Sequence, residues 1–122
     1  MQKFIVTNLS HPLKTPIRVK YCVSFFSRLI GLMGQSEIRE NEGIALVQKT
    51  EDRIGSSIHM LFMRFDILAI WLNSQFIVVD LIIAKRWRPF YLPGVPARFI
   101  LEVHPSQKPC FFIGDKLYFE DL

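Results

Sequence analysis

The stretch ILAIWLNSQFIVVDLIIA, residues 67–84, constrains the fold more than any other part of the chain. Its halves, residues 67–72 and 77–84, are rich in β-branched and aromatic side chains. Asn73, Ser74 and Gln75 between them suit a hairpin turn. Side chains of a strand alternate between faces, so Leu68, Ile70 and Leu72 oppose Ile67, Ala69 and Trp71. Both sets are apolar. Such a strand must be covered on both faces, which places it at the centre of a sheet or in a barrel wall.

The rest of the chain has to supply that cover. Residues 3–7 and 17–23 read as strands, joined by a loop carrying Asn8, Ser10, Pro12 and Pro16. The period then changes. Phe26, Leu29, Ile30 and Met33 recur at helical spacing, with Ser24 as N-cap and Gly34 as the stop. Gly31 inside that helix implies close packing of its backbone on a sheet. Residues 36–42 read as a solvated turn or short helix, 43–48 as a strand and 49–55 as a polar loop. Residues 58–63 are a further apolar segment, 85–96 a Pro-rich loop, 99–103 a strand, and 111–113 and 117–119 a last pair across Gly114-Asp115. The expected fold is mainly β (α+β): one domain over residues 1–122, a compact rolled-up or barrel-like mixed sheet of about eight short strands with one packed helix. Without regular strand–helix alternation, a parallel Rossmann sheet is not expected.

Composition narrows the function classes. Eleven phenylalanines against six glycines argue for a packed core rather than disorder. Fifteen basic and eleven acidic residues give a formal charge of +4, too sparse for a dedicated nucleic-acid surface. No apolar run approaches the roughly 18 residues of a membrane span. The first residues show no signal-peptide pattern, so the chain is expected in the cytoplasm. Cys22 and Cys110 are far apart, are not a CxxC pair, and read as thiols in apolar settings.

The chemistry-bearing residues fall in two groups. SSIHMLFMRF, residues 56–65, holds His59 among apolar neighbours, with Met63 four residues on. Imidazole and thioether suit a soft metal, yet a packed, hydrogen-bonded histidine is the simpler reading, and no metal or cofactor is expected. Asp66 and Glu102 lie in apolar strands, where a buried carboxyl acts as an acid or pairs with an arginine. Arg28, Ser57, His59, Met63, Asp66 and Glu102 therefore make up a candidate pocket. The second group is KRWRPFYLPG, where Lys85, Arg86 and Arg88 interleave with Trp87, Phe90 and Tyr91. That composition suits a protein contact, a membrane interface or single-stranded nucleic acid. Its simplest reading is a loop folded over one edge of the barrel, with an arginine stacked on its own tryptophan.

The order of short motifs carries a resemblance. Arg28 before GLMG, then EGIAL, SSIHMLFMRFDILAIWLN, FILEV and FFIGDKLYF, resembles the bacterial and archaeal domain of unknown function one hundred and ninety-two, over residues 23–120. The matching positions include Gly31, Leu32, Met33, Gly43, Ser57, Ile58, His59, Met63, Arg64, Phe65, Leu101, Glu102, Gly114 and Asp115. The resemblance implies a small β-rich domain and no established reaction. Met60 stands where the family commonly has threonine, and Asp66, Ile67 and Leu68 where it has proline, isoleucine and aspartate. If that segment forms a site, the site is altered here. The expectation is a non-catalytic binding or accessory domain recognising a protein or small ligand. A metal-binding protein or enzyme centred on His59, Asp66 and Glu102 is the alternative.

Overall fold

The computed structural model describes residues 2–122, apart from the side chains of Phe25 and Phe26. It contains β1 (Lys3–Asn8), β2 (Ile17–Cys22), α1 (Phe25–Ile30), β3 (Glu42–Asp52), β4 (Ile67–Leu72), β5 (Val78–Ala84), β6 (Ala97–Val103) and β7 (Leu117–Asp121). The strands form one sheet in the order β5-β4-β6-β3-β2-β1-β7, curled into a half-barrel. Neighbours are antiparallel except β2 and β3, which α1 connects as a parallel pair. β4 is buried at all six positions, between β5 and β6, as its two apolar faces require. The curl brings the outer strands together at one end. There the Val78 amide donates to the Asp115 carbonyl at 2.9 Å and the Leu117 amide to the Phe76 carbonyl at 3.0 Å.

Each face of the sheet has its own core. The inner face gathers Val6, Ile17, Leu68, Phe99, Leu101 and Leu117 from strands spread across the whole sheet. The outer face buries Leu46, Trp71 and Ile100 under Leu32, Ile58 and Met60, which come from the connecting segments. Burial of each such side chain contributes ~1.5–3 kcal/mol. The Trp71 indole N–H donates to the Ser56 carbonyl at 2.7 Å, so its polar edge is matched within the outer core.

The element boundaries depart from the sequence pattern in four places. The count itself agrees with about eight, with seven strands among the described residues. Residues 58–63 are not a strand, although Ile58 makes a single bridge to Tyr91. Ile58, Met60 and Met63 all enter the outer core, a spacing that a regular strand cannot serve, and Phe62 takes φ 62° to allow it. Residues 111–113 are likewise irregular, but Gly114 and Asp115 do turn the chain into β7. β3 runs on to Asp52, through half of the expected polar loop, beyond a register shift after Val47.

α1 is shorter than its periodicity implies. Ser24 caps it, accepting from the Ser27 amide at 3.1 Å, but Gly31 rather than Gly34 ends it. Gly31 has φ 48° and ψ −119°, a conformation open to glycine and costly for other residues. The stripe is correspondingly broken. Leu29 and Ile30 are exposed, and it is Leu32, past the turn at Gly31, that packs into the core. The Phe26 side chain lies outside the described residues.

Candidate functional site

Strand alternation puts Phe99, Leu101 and Val103 of β6 inside the curl and Ile100 and Glu102 outside it. Glu102 thus faces outward from the middle of the sheet, opposite Ile44 on β3 and Ala69 on β4. It is only 5 % exposed. Among the described residues its carboxyl has neither a hydrogen-bond donor nor an ion-pair partner. Burial alone pushes its pKa up to about 8, because removing the charge from water has no local compensation.

Above the carboxyl the chain leaves a cavity of about 170 Å³ between the sheet, α1 and residues 55–63. A dry apolar cavity of about 150 Å³ accommodates benzene, which sets the size of occupant. Gly31 lies over Glu102: a Cβ there would stand 3.7 Å from Oε1 and 3.4 Å from the Ile44 side chain. Leu46, Ile100, Met33 and Met63 contribute apolar wall. Polar groups gather nearer the solvent. One Arg28 nitrogen donates to the carbonyls of Val23 at 2.8 Å and Val47 at 3.2 Å. The other guanidinium N–H groups and the Ser57 hydroxyl have no acceptor among the described residues. The His59 ring is held at both nitrogens. Nδ1 accepts from the Leu61 amide at 3.2 Å, which leaves Nε2 to donate to the Leu29 carbonyl at 2.8 Å. That carbonyl is one of the unpaired groups at the end of α1, so His59 ties the helix to the cavity wall.

Five of the six pocket residues expected from the sequence therefore meet at one cavity: Arg28, Ser57, His59, Met63 and Glu102. Asp66 does not. It accepts from the Arg86 amide at 2.9 Å and Arg86 Nε at 3.1 Å, and pairs with Lys85 at 3.5 Å. The backbone hydrogen bond from Arg86, with the two nearby cations, holds its carboxyl below the usual range. The trio His59, Asp66 and Glu102 is thus not assembled, because residues 85–86 claim Asp66 for the other end of the β4–β5 hairpin. Met60 and Leu68, the two departures that put an apolar residue at a polar position of the family pattern, are both packed in the cores and line no part of the cavity.

The second group divides as well. Trp87 is 56 % exposed and lies against Phe62, 57 % exposed, with ring centroids 5.3 Å apart. Phe90 is also exposed. Tyr91 is not a surface residue: it is buried in the outer core, and its hydroxyl accepts from the Lys85 amide at 2.8 Å. Arg88 lies 5.7 Å over the Tyr91 ring rather than on the tryptophan expected from the sequence, while Lys85 and Arg86 are committed to Asp66.

Sequence reasoning missed Gln48 and Gly55 at the cavity rim, joined by a hydrogen bond from the Gln48 amide to the Gly55 carbonyl. The signal was weak, since Gln48 follows the β3 irregularity that no pattern marked. It also missed the buried Asp115, which accepts from Asn8 at 2.8 Å, the Phe112 amide at 2.9 Å and His11 at 2.8 Å. Burial acts to raise that carboxyl, but these hydrogen bonds outweigh it and leave the pKa lowered. A larger depression of about 280 Å³ near Lys3, Arg18, Lys20 and Glu42 offers only exposed charges.

The chain is similar to several archaeal proteins. It is 42 % identical over 86 residues to the UPF0127 protein PF1050 of Pyrococcus furiosus, covering 70 % of this chain and 71 % of that one. It is 36 % identical over 117 residues to the UPF0127 protein PH1112 of Pyrococcus horikoshii, covering 93 % and 96 %. Against the UPF0127 protein TK1120 of Thermococcus kodakarensis identity is 41 % over 85 residues, covering 70 % of this chain, which spans about half (52 %) of that relative. In fold it matches a Novosphingobium aromaticivorans protein of unknown function, with TM-score 0.82 and 18 % identity over 95 % of this chain and 83 % of that one. A Sinorhizobium meliloti protein, described provisionally as a transcription regulator, gives TM-score 0.82 and 13 % identity over 97 % and 92 %. The DUF192 family model, whose description is "Uncharacterized ACR", matches residues 6–109. The curled β domain with its cavity beneath a short helix belongs to the DUF192 family.

Proposed function

We propose that the protein is a small-ligand-binding domain and that its site is the cavity between α1 and the outer face of the sheet. One observation carries this reading: Glu102 is buried and lacks a protein partner among the described residues, yet it faces open volume. Buried carboxyls are normally matched inside the protein, and an unmatched one facing a cavity is matched by what enters it. The metal or enzyme alternative loses support because His59 commits both ring nitrogens to the backbone and Asp66 lies elsewhere. The test is a fragment screen read on the ε-methyl signals of Met33 and Met63 and the side-chain carboxyl carbon of Glu102. Binders in the cavity move all three together. If every binder shifts only residues 85–91, the cavity is not the site.

A second reading rests on the aromatic pair. Phe62 and Trp87 both take positive φ, 62° and 67°, a conformation that costs bulky residues ~1–3 kcal/mol each. The fold holds two exposed rings together at that expense, and Trp is a frequent anchor of protein interfaces. A protein contact at Phe62, Trp87 and Phe90 predicts that Trp87→Ala weakens partner binding at least tenfold and leaves the fragment-induced methionine shifts unchanged. Binding of a purified partner to the variant at wild-type affinity removes this reading.

A further inference from the structure

The cavity is asymmetric in its hydrogen-bonding chemistry, and that asymmetry points to one class of ligand. Its deep end offers only Glu102, a group that accepts when ionised and has no donor facing it among the described residues. Around that carboxyl the surfaces are apolar: the Ile44 side chain, Ile100 and the Cβ-less face of Gly31. The donors stand nearer the solvent, on Arg28 and Ser57. We propose that the cavity takes a small organic cation, a primary ammonium on a short apolar body, seated with the ammonium on Glu102. The inference rests on the small-ligand reading above and narrows it to a ligand class.

The physical case is one of matching. An ammonium carries three donors and a charge, and a carboxylate in a low-dielectric site accepts both. The apolar body then lies along Met33, Met63 and Leu46, in a volume that admits about six heavy atoms, as many as benzene has. A metal ion fits less well, since no cluster of three or more acidic, histidine or cysteine groups is found among the described residues. A neutral carbonyl ligand, accepting from protonated Glu102, is the competitor. An amide of this kind matches both oxygens, accepting from the acid and donating an N–H, but it brings no charge, whereas an ammonium supplies donors and charge together.

The groups facing the carboxyl determine how binding responds to pH. Arg28 approaches from α1 but is turned toward the Val23 and Val47 carbonyls. His59, from residues 58–63, has both ring nitrogens turned to the backbone, toward the Leu61 amide and the Leu29 carbonyl. Cys22, from β2, is pushed up by its own burial and then by Glu102, so it stays a thiol at neutral pH. Glu102 is therefore the group that changes protonation when a cation enters. Near pH 7 the empty site holds the proton, and the entering ammonium expels it to solvent.

The experiment is calorimetry of the full chain with n-butylammonium, n-butanol and butyramide, run at pH 7 in two buffers of different ionisation enthalpy, on wild type and Glu102→Gln. We expect n-butylammonium to bind at least tenfold more tightly than n-butanol, with proton release seen as a buffer-dependent heat. Glu102→Gln is expected to abolish both the preference and the proton release. In the wild type the Glu102 carboxyl carbon should titrate at lower pH once n-butylammonium is bound, a measurement that stands even if the variant fails to fold. Preference for butyramide, or equal binding of n-butylammonium by Glu102→Gln, overturns the cation assignment while leaving the small-ligand reading intact. If none of the three probes binds, or their binding leaves the Met33 and Met63 methyl signals unmoved, the small-ligand reading itself falls.

Discussion

Glu102 gives the fold a pH dependence of unusual sign. The unfolded chain ionises this carboxyl near 4.5, and the folded chain only near about 8. Between those values the unfolded state gives up a proton that the folded state keeps, so stability falls as pH rises through the window. It is highest at the acid end and levels off above about 8. The full effect is on the order of 5 kcal/mol. Thermal melts from pH 5 to 8.5 should show a falling Tm in the wild type and a flatter profile in Glu102→Gln. Identical profiles would show that the carboxyl is matched in solution. Gly31 permits a second test. Gly31→Ala meets no clash closer than 3.4 Å, so its cost is backbone strain, roughly 1 kcal/mol or more, measurable by urea unfolding. Residue types were the legible part of this site. Arg28, Ser57, His59, Met63 and Glu102 stood out as polar or soft groups in apolar segments. Their meeting was not legible, because Glu102 and Arg28 come together only through the pairing of β6 with β3 and the crossover after β2.

At the scale of elements, strands were easier to read than the segments that cover them. β4 announces itself because both its faces are apolar, and β1, β2 and β6 carry the alternation or apolar runs that sheets require. Residues 58–63 misled because Ile58, Met60 and Met63 look like strand core yet reach that core from an irregular path. α1 misled because its stripe continues past the glycine that ends it. A helix of six residues has little stability of its own, so it depends on its anchors. His59 is one of them. His59→Ala removes the bond to the Leu29 carbonyl and the acceptor for the Leu61 amide, at a cost of roughly 1–2 kcal/mol. The Tm should drop by several degrees, and amide exchange should quicken first in residues 27–31. Uniform quickening across the sheet would show that the helix is held by something else. Asp115 anchors the turn before β7 in the opposite pH range. Its carboxyl is lowered, so its contribution is present above the ordinary aspartate range and is lost as pH falls through the folded value.

For the whole molecule the controlling feature is how the sheet ends. β5 and β7 are its outer strands, and the contacts of residues 76–78 with residues 114–117 join them at one end. Exposed edges invite pairing between molecules, and this junction shields part of both. β7 also seals the inner core: Phe119 packs on Phe76, and Leu117 is fully buried. Removing residues 117–122 should therefore give a chain that is mostly insoluble on expression, with light scattering as the readout. A soluble, monomeric truncation would mean that the inner core closes without β7. The pairing of β1 with β7 has a further consequence. Phe4 stands opposite Asp121, and the Leu122 amide donates to the Lys3 carbonyl, so the two ends of the described chain are adjacent. A short linker across that gap, with a new opening in the exposed residues 35–37, yields a circular permutant in which every strand keeps its neighbours. The order in which the ribosome delivers the strands is thus separable from the order in which the sheet assembles them.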